Sequence, residues 1–123
     1  MSTHVNDLAS AVSVNTALAP AVRTGAVNGS AVDLISADGA CFAIQQVGAL
    51  SDATWSGGFE ESVDGSAWTA VSGGLFTAVA AANNTQAISF RRTKRYVRYV
   101  SGVTGGSPSV AVSVIVGEQW KTF

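Results

Sequence analysis

Catalysis and metal binding need reactive side chains that can meet, and this chain has few of them. His4 is its only histidine and Cys41 its only cysteine, and they lie far apart in the sequence. One of each cannot supply the ligand set of an ordinary zinc site. A thiol–imidazole nucleophile would also need a third, orienting group. Cys41 sits between Ala40 and Phe42 in a predicted strand, where it reads as a small core residue. Glu60 and Glu61 are neighbours on a predicted strand, so they point to opposite faces and cannot share acid–base work. The glycine pairs Gly57-Gly58, Gly73-Gly74 and Gly105-Gly106 lack the following helix and lysine of a phosphate loop, and read as turns. No catalytic residue, cofactor-binding residue or metal ligand is predicted, and the chain is not expected to be an enzyme.

The other concentrated chemistry is positive charge. Five of the seven basic residues are Arg91, Arg92, Lys94, Arg95 and Arg98, while seven of the eight acids lie at or before Asp64. Strand alternation puts Arg95, Val97 and Tyr99 on one face and Tyr96, Arg98 and Val100 on the other. A basic strand interleaved with aromatics could track a nucleic acid. This one is short, and it sends its charges to both faces. The competing readings are ion pairs with Glu60, Glu61 or Asp64 inside the domain, and contact with another subunit. The second is preferred, so the five basic residues are the candidate subunit contacts, and no direct nucleic-acid contact is expected.

These residues must be positioned by strands. The cleanest period-2 signal runs from Ser109 to Val116, with Val110, Val112, Val114 and Val116 on one face. Phe59 to Val63 and Trp68 to Val71 read as the arms of a hairpin turned by Asp64-Gly65. Further strands are predicted at Ala31–Ile35, Cys41–Val47, Ala87–Arg91 and Tyr96–Thr104, with turns at Asp38-Gly39, Ser51-Asp52 and Gly105 to Pro108. Leu75 to Ala82 is ambiguous between a helical turn and a loop. The pattern predicts an all-β sandwich, jelly-roll-like, of about seven or eight short strands. The expected core contains Phe42, Ile44, Trp68, Ile88, Phe90, Val97, Tyr99, Val112 and Val114. Leu8 to Leu18 reads either as a short helix, from Leu8, Val12, Asn15 and Leu18 at helical spacing, or as part of an extended arm with a strand around Ala11 to Val14; the arm, residues 1–30, is preferred, with 31–123 as the sandwich domain.

Composition agrees with one small β domain. The 123 residues hold 13 glycines and 2 prolines, and much of the apolar content is Ala and Val, which suits thin stacked sheets. Only 12% of residues are charged, about half the usual share, and the net charge is −1. Such a surface orders few long side chains on contact, which favours a stable assembly. A single cysteine excludes an internal disulfide. No signal peptide and no membrane-length apolar run is visible, so synthesis in a cytosol is expected.

Several motifs, in order, resemble small virion proteins of tailed bacteriophages encoded among the capsid genes. They are Leu18-Ala19-Pro20-Ala21 with Thr24 and Gly29, then Val32-Asp33-Leu34, then Phe42 to Gly48 with Asp52. Glu60-Glu61-Ser62, Asp64-Gly65-Ser66 and Trp68-Thr69 follow, then Lys94 to Arg98, Val103-Thr104-Gly105 and the Val-rich final strand. Proteins of this kind resemble capsid decoration, or cement, proteins. The resemblance implies a β-rich domain that docks on the outside of the shell, clamps neighbouring major-capsid subunits and opposes the pressure of packaged DNA. It implies the major capsid protein as partner, a homo-oligomer (dimer or trimer), no membrane, and a place on the capsid exterior after synthesis in the host cytoplasm. Ser62 to Trp68 followed by Arg95 to Arg98 is also similar to the paired signature of discoidin-like (F5/8 type C) jelly rolls, which bind glycans or lipids through loops at one end. The alternative functions are therefore a virion glycan-binding module or a tail or head–tail junction protein. A binding module would present exposed aromatics such as Trp55 or Trp120 at a concave loop end.

Overall fold

The computed structural model describes residues 12–34 and 37–120, of which the side chains of 37, 38 and 120 are left aside. Alternating valines and Gly-centred turns become eight strands among these residues: β1 (Val12–Arg23), β2 (Val32–Asp33), β3 (Ala37–Ser51), β4 (Thr54–Ser62), β5 (Thr69–Leu75), β6 (Asn84–Arg91), β7 (Tyr96–Thr104) and β8 (Ser109–Trp120). They form two four-stranded sheets, ordered β1-β8-β3-β6 and β2-β7-β4-β5. All strand pairings are antiparallel.

The pairings are nested: β4 with β5, β3 with β6, β2 with β7, β1 with β8. The chain is thus one long folded ribbon, rolled so that successive pairs fall in alternate sheets. The result is an eight-stranded jelly roll. The tip of the ribbon is the predicted Asp-Gly hairpin. Gly65 takes φ +80°, which only glycine adopts without strain. The Asp64 carboxylate accepts hydrogen bonds from the Ser66 and Ala67 amides, and the Ser62 hydroxyl accepts from the Asp64 and Gly65 amides. Those donors hold the Asp64 carboxyl below its ordinary range.

The space between the sheets is filled by aromatics and valines. Phe59 stacks on Phe90 at 5.2 Å and meets Tyr99 edge-on at 5.7 Å, with Phe76 closing the group. Val110, Val112, Val114 and Val116 all point inward, as their alternation predicts. So do Phe90, Val97 and Tyr99.

Four expectations are corrected. Phe42 and Ile44 are half-buried on the outer face of β3, while Cys41, Ala43, Gln45 and Val47 face the core. Strand periodicity leaves the choice of face open, and a one-residue slip inverts it. Here the Tyr99 hydroxyl donates to Gln45 Oε1 in the interior, and with Gln45 turned inward its neighbours two residues away face the core as well. Gly39, at φ +97°, lies inside β3 at a register shift between Ala37 and Cys41 rather than in a turn between strands. Trp68 lies half-buried outside the sandwich, and among the described side chains the fully buried tryptophan is Trp55. Ile88 is partly buried against the core. Finally, residues 12–23, expected within the arm, are β1, an edge strand paired along β8. Its Leu18 and Ala17 are buried, which a free arm would not allow. Residues 1–11, the remainder of the strand expected at Ala11 included, lie outside the described residues. The segment Phe76–Asn83 is a loop, pinned where Val79 and Trp55 exchange backbone hydrogen bonds.

Candidate functional site

The basic run does not act as a unit, because the bend between β6 and β7 distributes it over three environments. Arg91, last in β6 and opposite Ala40, is exposed at one end of the β1-β8-β3-β6 sheet. It borders a shallow hollow of about 510 Å³ lined also by Val12, Cys41, Phe42 and Phe90. The lining is apolar and brings no set of acids and bases together.

Arg92 turns inward. Its Nε donates to Glu118 Oε2, its Nη1 to the Lys94 carbonyl, and its Nη2 to the Leu34 carbonyl. Its side chain is 11% exposed and that of Glu118 is 0%. Arg92 therefore ties the end of β8, in one sheet, to the segment after β2, in the other. It is removed from the candidate contacts, because a guanidinium spent on buried partners is not presented at a surface. The Cys41 thiol donates to the same Glu118 oxygen at 3.3 Å. Burial, and then the adjacent carboxylate, push that thiol up to about 12, so it is held as a neutral donor and not as a nucleophile.

Lys94, Arg95 and Arg98 stand at one end of the outer face of the β2-β7-β4-β5 sheet. Arg95 makes a bidentate pair with Asp33, Nε to Oδ1 at 2.9 Å and Nη2 to Oδ2 at 2.7 Å, and its guanidinium lies 5.0 Å from the centre of the Tyr96 ring. Arg98 reaches Glu60 Oε1 through Nε at 3.0 Å and Nη2 at 2.7 Å, and lies 4.5 Å over the Trp68 ring. Lys94 Nζ donates to Thr69 Oγ1 at 2.9 Å. The result is a surface patch of alternating cations, anions and aromatic rings.

No family model matches the chain, and no curated protein and no solved structure matches it.

Of the acids expected to pair with the basic run, only Glu60 does so. It stands directly opposite Arg98 in the β4–β7 register. Glu61 faces inward and instead accepts from the Thr93 amide and hydroxyl, each at 2.8 Å. Asp64 is used by the hairpin. The aromatic members of the patch, Trp68 and Tyr96, and its acid Asp33 were missed as contact residues. Asp33 pairs with Tyr96 across β2 and β7, a long-range register that periodicity does not contain. Among the described residues no group of three or more His, Cys, Asp or Glu side chains could hold a metal ion.

The interior carries a second polar arrangement. Trp55 Nε1 donates to the Tyr99 hydroxyl at 2.9 Å, and that hydroxyl donates to Gln45 Oε1. All three side chains are fully buried. Burial pushes the Tyr99 phenol up to about 12, against a smaller opposing effect of the Trp55 hydrogen bond. Cys41 and Tyr99 are both held protonated in the fold above their ordinary values of 9.0 and 10.0. The stability this contributes is complete below pH 9, where both groups are protonated folded or unfolded. It is lost as pH rises through 9 to 12, because the unfolded chain then releases protons that the fold retains. An alkaline melting series should show a falling Tm across that window. Tyr99→Phe should flatten the fall above pH 10, and an unchanged slope in that variant would count against the assignment.

Proposed function

We propose that this protein is a structural component of a bacteriophage virion, a capsid decoration protein that docks on the assembled shell and clamps neighbouring major-capsid subunits. The reading rests first on the ordered motifs that resemble small phage virion proteins. The structural observation that supports it best is the patch of Lys94, Arg95 and Arg98. Its cations are already fixed by Asp33, Glu60, Thr69 and two aromatic rings. Pre-ordered side chains lose little entropy on contact. A modest docking site of this kind, repeated over a symmetric lattice, gives strong overall attachment through multivalency. The partner in this reading is the major capsid protein, the location is the outer surface of the capsid, and the patch contacts the shell.

The glycan-binding alternative is less well supported. Trp55, one of the aromatics expected to be exposed in such a module, is fully buried. Trp68 and Tyr96 each have a guanidinium over one ring face, where a sugar ring would otherwise stack.

Co-sedimentation with capsids that lack the protein tests the proposal. Saturable binding at a fixed copy number per capsid subunit is the expected result. The double variant Lys94→Ala/Arg95→Ala should weaken that binding about tenfold or more while leaving the melting temperature within a few degrees, since both pairs are exposed. Failure of the wild-type chain to bind mature shells would reject the decoration role. Deletion of residues 1–20 is unsuitable for testing the arm, since it would remove most of β1.

A further inference from the structure

The two outer faces of the sandwich differ in charge. The face of the β2-β7-β4-β5 sheet carries the paired ions described above. The outer face of the β1-β8-β3-β6 sheet is built from the residues that alternate with the buried valines of β8 and with Cys41, Ala43, Gln45 and Val47 of β3. Its apolar members are Val14 and Val22 on β1, Phe42 and Ile44 on β3, and Ala111 and Ile115 on β8. The other positions are Val12, Pro20 and a set of Ser, Thr, Gln, Ala and Gly. Among the described side chains the only charge on this face is Arg91, at its corner.

Two shallow hollows interrupt the face, one beside Phe42 and Arg91 and one beside Val22 and Ala111. The Phe42 ring lies flat over Gly117, where a Cβ would fall 2.3 Å from the ring. Ile44 stands directly opposite Ile115 at the centre. Val14 and Val22 are 54% and 63% exposed on this face.

We infer that this face packs on the same face of a second copy of the chain, as a two-fold dimer. Size and charge both favour that occupant. Four strands about 4.8 Å apart, paired over about eight residues of length at about 3.3 Å rise, make a face of roughly 500 Å². Two such faces remove roughly 1,000 Å² in all, the lower bound for a specific interface. In a two-fold contact each residue meets itself or its symmetry mate, so any charge near the axis would face its own kind. This face has none there. An axis near Ile44 and Ile115 sends the two copies of Arg91 to opposite corners. A charged partner would gain nothing from this surface, whereas the opposite sheet offers it cations and anions. The dimer does not depend on the decoration role, and it would leave the Lys94–Arg98 patch free on both outer layers of the stack.

Sedimentation velocity of the full chain over a dilution series tests the inference. A dimer is expected for the wild type. Ile115→Lys and Ile115→Glu should each raise its dissociation constant at least a hundredfold, and an equimolar mixture of the two should recover a heterodimer through their opposite charges. Ser113→Lys, a polar position beside Ile115 on the same face, gives the same reading if the isoleucine variants fail to fold. Leu75→Lys, on the outer face of the other sheet and 75% exposed in the wild type, should leave the dimer intact. A wild-type chain that is monomeric or trimeric at high concentration overturns the inference, as does a dimer that tolerates both Ile115→Lys and Ser113→Lys.

Discussion

Replacing Arg92 with alanine is expected to cost about 3–5 kcal/mol of folding stability, the penalty for stripping one partner from a buried ion pair. Glu118 is fully buried, and its Oε1 has no hydrogen-bond partner, so its charge rests on Arg92 and the Cys41 thiol at Oε2. Removal of the guanidinium leaves that carboxylate without a counter-ion. It also frees two carbonyls, at Leu34 and Lys94, that Arg92 holds together across the end of the sandwich. Arg92→Lys should recover only part of the loss. An ammonium can match the charge but not the planar fork that reaches three acceptors. The double variant Arg92→Met/Glu118→Leu separates the pair's own contribution from the cost of an orphaned charge. It should be far more stable than Arg92→Ala, because an apolar replacement of a buried pair is often close to neutral. Chemical denaturation of the three variants provides the measurement. An Arg92→Ala chain within about 1 kcal/mol of wild type would mean that Glu118 has another source of compensation.

Trp55→Ala should be comparably damaging, at about 3–5 kcal/mol, through lost transfer energy and the cavity left behind. For a domain of this size that is a fall in Tm of more than about 10 °C. Trp55 is 0% exposed, and its backbone exchanges hydrogen bonds with Val79 while its indole donates to Tyr99. Trp55→Phe separates these effects. It keeps most of the apolar volume and loses the indole donor, at about 1 kcal/mol. Trp68→Ala makes the contrast. That ring is half-buried on the surface beneath Arg98, so about 1 kcal/mol is expected from the lost cation–π contact and partial burial. Thermal melts of the three variants would rank the two tryptophans. Equal losses at Trp55 and Trp68 would contradict the placement of both.

The same two tryptophans show what was legible before the fold was known. The Asp64-Gly65 turn and the valine alternation of β8 are local signals, and both are realised where the residues predict. The all-β class and the sandwich follow from such signals, because period and turn chemistry act within a few residues, but Gly57-Gly58 and Gly73-Gly74, read as turns, lie inside β4 and β5. Parity is different. Whether Phe42 or Cys41 faces inward, and whether Trp55 or Trp68 fills the core, depends on the partners that other strands bring to the interior, such as the Tyr99 hydroxyl for Gln45. Such partners are a property of packed neighbours. Packing also explains why β1 is not an arm: its two buried residues have a place only once β8 lies beside them.

Charge pairing divides in the same way. The chain by itself determined that five basic residues crowd into Arg91–Arg98 and that most acids precede them, which fits pairing within the domain or across a subunit contact equally. Which acid meets which base was decided by the tertiary structure alone. Register sets Glu60 opposite Arg98, the bend after β6 turns Arg92 onto Glu118, and Asp33 reaches Arg95 only because β2 lies against β7. Alternation acts over neighbouring residues, whereas an ion pair needs two groups within a few ångströms, and in a ribbon rolled on itself that proximity comes from strands far apart in the chain.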